Sequence, residues 1–162
     1  HFQVGIAHER NQDYAAAAEQ FSRAIELRPD FPEALNYLGY MWAERGENLE
    51  RARDLIRRAV ELEPDSPAFL DSEAWVLHQL GRSAEALPPM RRAIELNPEP
   101  DATLYDHLGD ILYHLGQVAE AREAWARSYA IEARPAVREK RDGAPAPPPG
   151  SPAPLPAGEP AS

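Results

Sequence analysis

The stretch LNYLGYMWAERGENLERARDLIRRAVELEP, Leu35 to Pro64, holds two amphipathic runs separated by a turn. Leu35, Leu38 and Trp42 fall at helical spacing, and so do Leu55, Ile56, Ala59 and Val60. Between them Arg45-Gly46-Glu47-Asn48 reads as a turn, with Gly46 suited to ending the first helix and Asn48 to capping the second. Outward from this stretch the pattern recurs. One small residue stands at Gly5, Gly39, Ala74 and Gly109, a second at Ala17, Ala52, Ala86 and Ala121, and a third at Ala24, Ala59, Ala93 and Ser128, always 34 or 35 residues apart. Between the second and third sits a bulky apolar residue, Phe21, Ile56, Met90 or Trp125, and Pro29, Pro64 and Pro98 close the first three units. Two short helices cannot bury both apolar faces alone, so each unit needs its neighbour, and the small residues mark close helix crossings.

These residues resemble tetratricopeptide repeats. The resemblance covers residues 1–134 as about four units, 1–30, 31–65, 66–98 and 99–134. It implies an all-α, right-handed α-solenoid; a generic helical bundle would not keep this register. In unit one, Asp13 reads as the cap of the second helix, Val4 as core and His8 as a packed histidine. Unit two carries one residue beyond the 34-residue standard, placed in the Gly46–Leu49 turn, and Pro32 suits the first position of a helix. Unit three departs twice. Glu73-Ala74 replaces the usual Leu-Gly pair, adding a methyl at a close contact, and Pro88-Pro89 inside the second helix predicts a bend or a helix restarting at Pro88.

From Pro135 the composition changes: 9 of the last 28 residues are proline, which predicts a disordered or polyproline-like tail over 135–162, with at most one helical turn in AVREKRD. No helix long enough to cover the last apolar face is expected there. The chain opens on His1 rather than Met and reads as part of a longer protein.

Charge bounds the partners. Residues 1–134 hold 14 arginines against 24 acidic residues and so carry the whole net charge of −10. Ten of those arginines fall on the second helices, beside glutamates, which argues against a nucleic-acid partner. No apolar run reaches the length of a membrane span, and with no cysteine there is no disulfide or thiol nucleophile.

In this repeat family the first helices line a concave groove. Carried over by register, the groove here presents Asn36, Tyr37 and Tyr40, then Asp71, Trp75, His78 and Gln79, then Asp106, Asp110 and Tyr113. Such a surface suits an extended peptide: Asn36 and Gln79 can pair with backbone groups, and the aromatic rings offer flat apolar area with little entropy to lose. The aspartates favour a protein or peptide ligand bearing Lys, Arg or a free amino terminus. The Lys/Arg clamp for a C-terminal carboxylate is missing, since Phe2, Ile6, Tyr37, Ala68 and Ser72 hold those places. His107 and His114 stand about two turns, roughly 10 Å, apart, too far to share one ion, so no metal or other cofactor is expected. Nothing supplies a nucleophile with oxyanion donors, so no enzymatic activity is expected.

ALNYLGYMWAERGENLERA, FLDSEAWVLHQLGR, PEPDATLYDHLGD and AREAW resemble a branch of bacterial tetratricopeptide proteins, many of them exported or outer-membrane lipoproteins. The resemblance implies a non-catalytic scaffold, periplasmic or outer-membrane-associated, with the cytoplasm as the alternative. Some members are adaptors for a periplasmic protease. Homo-oligomeric assembly is the other reading and rests on both ends, unit one lacking a preceding helix and unit four a capping helix long enough to cover its last apolar face.

Overall fold

A computed structural model describes residues 1–143. Its helices run in antiparallel pairs: α1 (Phe2–Arg10) with α2 (Tyr14–Leu27), α3 (Pro32–Arg45) with α4 (Leu49–Leu62), α5 (Pro67–Gln79) with α6 (Ser83–Leu96), and α7 (Ala102–His114) with α8 (Val118–Ile131). A ninth, α9 (Pro135–Gly143), follows. Each pair packs on itself and on the helices of the next, forming an all-α solenoid.

Packing follows the small-residue pattern. Ala17, Ala52, Ala86 and Ala121 are fully buried, as are Phe21, Ile56 and Met90, while Trp125 is nearly so. A Cβ on Gly5 would strike the Phe21 ring, one on Gly39 the Ile56 side chain, and one on Gly109 the Trp125 indole. By the same register the Ala74 methyl faces Met90, and both lie wholly buried in one cluster. An unbranched thioether can move aside where the branched Ile56 cannot, so the added methyl is accommodated.

Helix ends are set by local chemistry. Pro32 and Pro67 occupy first-turn positions, and Ser66 accepts from the Phe69 amide. Asp13 accepts from the Ala16 amide at 3.3 Å. Asp13→Ala is therefore expected to cost about 1 kcal/mol, read as a lowered urea midpoint. Gly46 ends α3 in the left-handed region (φ 69°). Asn48 stands at the start of α4 but is itself left-handed (φ 46°) and makes no side-chain cap, contrary to the sequence reading. The extra residue of this turn forces the second positive φ and turns the Asn48 side chain from the α4 amides.

Two further expectations are corrected, and one of the two alternatives for α6 falls away. Val4 is 48% exposed; its counterparts Leu38 and Leu108 each face the preceding unit's second helix, and among the described residues no helix packs on that side of α1. The pair Pro88-Pro89 does not restart α6, which runs unbroken from Ser83 to Leu96. Its tolerance fits Leu87 and Met90 being buried on either side, since tertiary packing offsets the lost backbone bonds.

The tail does not begin at residue 135. Pro135–Gly143 is helical and packs on α8 as α7 packs on α6, with Val137 buried in the C-terminal core. One apolar anchor and a proline at the helix start make a helix of AVREKRD, so the last apolar face is covered. The polyproline reading of the remaining tail lies outside the described residues.

Candidate functional site

Along α3, α5 and α7, Asn36, Asp71 and Asp106 occupy one register position and Tyr40, Trp75 and Asp110 the position one turn on. Neighbouring helices are laced together along these rows. The Gln79 amide donates to the Ala43 carbonyl at 3.0 Å. His107 Nδ1 meets Asp71 Oδ1 at 2.7 Å, with both side chains almost wholly buried. Lys140 of α9 reaches Asp106 at 2.9 Å and the two Asp110 oxygens at 3.0 and 3.1 Å. Each acidic group of this row is thus met by a basic group from the next odd-numbered helix.

The first position of the row is open. Asn36 Oδ1 is buried and has no hydrogen-bond partner. The residue by register opposite it, Ser72, turns its hydroxyl to the Ala68 carbonyl instead. Beside Asn36 lies a cleft of about 580 Å³, lined by Tyr37, Tyr40, Asp71, Asn97, Asp101 and Thr103. Tyr37 is 40% exposed there and packs edge-on against Phe2.

Of the ten residues expected to form the groove, Asn36, Tyr37, Tyr40 and Asp71 meet at this cleft. Trp75 stacks on His107 (centroids 4.1 Å, 19°), and Tyr40 lies 6.5 Å from the same imidazole, so these rings share one face. Gln79, Asp106 and Asp110 are spent on internal partners rather than presented free, because α3 and α9 offer them a carbonyl and an ammonium. His78 pairs with Ser83 and stands against His114, and Tyr113 packs at the Trp125 ring. Sequence reading missed Asp101, which caps α7 through the Thr103 and Leu104 amides while bordering the cleft. An Asp before an apolar run is a cap signal, and that signal was there to find. Among the described residues no group of three or more His, Asp or Glu is placed to hold a metal ion.

Titration follows burial. Burial and the carboxylates of Glu44, Asp71 and Asp106 push the Tyr40 hydroxyl well above its usual range. Desolvation pulls His107 down, but the hydrogen bond and charge of Asp71 outweigh it and leave the imidazole raised above 6.5. Burial and the nearby His114, His107 and Lys140 lower His78 to about 4. The His107 contribution to stability is complete below pH 6.5 and is lost as pH rises through its higher folded value; that of a neutral His78 is complete above 6.5 and is lost on acidification toward 4. Their joint contribution peaks near pH 6.5. In urea unfolding across pH 4–9, Asp71→Asn is expected to remove the alkaline decline and His78→Gln the acid one.

The sequence pattern of the tetratricopeptide repeat matches at residues 4–67, 43–99 and 72–137. The chain belongs to the tetratricopeptide repeat family. Repeat scaffolds of this family present surface to proteins or peptides. The fold is similar to a solved structure of MamA (22% identity, TM-score 0.66, covering 80% of this chain and 74% of that one). It is also similar to MamA of Desulfovibrio magneticus RS-1 (21%, TM-score 0.70, 81% and 73%). Against a Thermobaculum terrenum O-GlcNAc transferase mutant the match is 25% identical with TM-score 0.73, covering 83% of this chain and 26% of that one. This tetratricopeptide chain therefore spans about a quarter of the transferase. No curated protein sequence matches it.

Proposed function

We propose that this tetratricopeptide array is a non-catalytic scaffold that binds an extended peptide segment in the cleft between α3, α5 and α7. The observation that carries the reading is Asn36 Oδ1, a buried acceptor without a donor beside an open cleft. An unmatched buried acceptor costs roughly 1–3 kcal/mol, and turning the Asn36 amide into the cleft to meet a ligand backbone N–H would offset that. Tyr37 supplies a partly exposed ring next to it, and Glu9 and Asp101 give the cleft a negative rim. These features favour a peptide with basic groups. Of the two ends on which self-association would rest, α9 covers the C-terminal one, while Val4 at the other is 48% exposed.

The test is to select peptides on the unsubstituted chain from a random library and measure them against Asn36→Ala combined with Tyr37→Ala. Binding is expected to weaken at least tenfold with helicity retained. Equal affinity would remove the cleft as the site.

A further inference from the structure

The cation at the far end of the concave face comes from the chain itself. Asp106 and Asp110 lie one helical turn apart on α7, with side chains 15% and 19% exposed. Two ionised carboxylates so placed need a positive neighbour, and burial together with Asp106 holds the Asp110 carboxyl above its ordinary range even with Lys140 and the Trp125 N–H beside it. The Lys140 ammonium sits among three carboxylate oxygens, which suits a compact three-donor group better than a planar guanidinium.

What holds Lys140 there is slight. The α9 helix has nine residues, and Val137 is its one buried side chain. Arg141 adds a cation–π contact, 5.0 Å from the Tyr129 ring. A helix this short is below the roughly 12–15 residues at which isolated helices become even marginal, so α9 is helical only while docked.

We propose that α9 is a detachable strap: Lys140 occupies the Asp106–Asp110 end of the concave face, and its release opens that end to a primary ammonium, a lysine side chain or amino terminus, of a bound peptide. The proposal rests on the reading of the concave face as a peptide site. Binding and opening are then coupled, because an incoming ammonium replaces the one that leaves.

The experiment uses the full 162-residue chain and a fluorescein-labelled octapeptide of alternating Lys and Ala, with a Gln–Ala counterpart as control, read by fluorescence anisotropy at low salt. Lys140→Met keeps the stem and removes the charge. It is expected to bind the Lys–Ala peptide at least tenfold more tightly than the unsubstituted chain, with the control unchanged. Adding Asp106→Asn and Asp110→Asn should abolish the gain. Amides of α9 should exchange with deuterium at least tenfold faster in Lys140→Met. Equal affinity of Lys140→Met and the unsubstituted chain, including no binding by either, overturns the strap, and so does unchanged α9 exchange. The cleft reading is judged separately: if Asn36→Ala with Tyr37→Ala leaves the Lys140→Met gain and the absolute affinity intact, the α7 end binds and the cleft does not.

Discussion

Trp125→Ala is expected to cost about 4 kcal/mol of folding stability. The indole is 3% exposed, lies beneath Gly109 and packs against Tyr113, so its removal leaves a cavity at the centre of unit four. The substitution also takes from Asp110 the N–H that reaches it at 3.1 Å, leaving a poorly solvated carboxylate with only Lys140 to balance it. Against a total stability of about 5–15 kcal/mol, that loss moves the urea midpoint by a large fraction of its value. Trp125→Phe separates the two effects, since the ring area is mostly kept while the hydrogen bond is lost, and about half the cost is expected. A loss below about 1 kcal/mol for Trp125→Ala would mean that the indole is not the filler opposite Gly109.

Gly39→Ala carries the second large effect, expected at about 2 kcal/mol net. Alanine favours helix over glycine by about 1 kcal/mol, but its methyl would stand 2.6 Å from Ile56 Cγ1 and 3.0 Å from the Ala52 carbonyl oxygen. The backbone oxygen cannot step aside, and overpacking of this kind costs roughly 1–3 kcal/mol or more. Ile56→Met should return part of the loss, because Ala74 facing Met90 is the same pairing already present in unit three. Unchanged instability in the double variant would show that the carbonyl, not the side chain, sets the limit.

The solenoid was legible because its determinants repeat. A small residue every 34 or 35 positions with a bulky partner half a unit on is a statement about helix crossings, and Gly39 over Ile56 and Gly109 over Trp125 realise it. What failed to read was whatever depended on an absent or additional neighbour. Val4 carries the core position of its counterparts, but among the described residues no second helix lies against it as one does against them. Composition hid α9, because one valine and one lysine dock it while the prolines beyond dominate the count. The partners of the residues read as concave were invisible: His107 to Asp71 and Lys140 to Asp106 are contacts between residues 36 and 34 positions apart. One repeat length separates each pair. Scanning for complementary charges at that interval would have found both.

The claim on which the functional account turns is that ligands enter the concave side. Amide chemical shifts of the full chain titrated with the alternating Lys–Ala octapeptide test this directly. The account predicts shifts confined to α3, α5, α7 and α9, led by Asn36, Tyr37 and Asp106; shifts concentrated on α2, α4, α6 and α8 would contradict it.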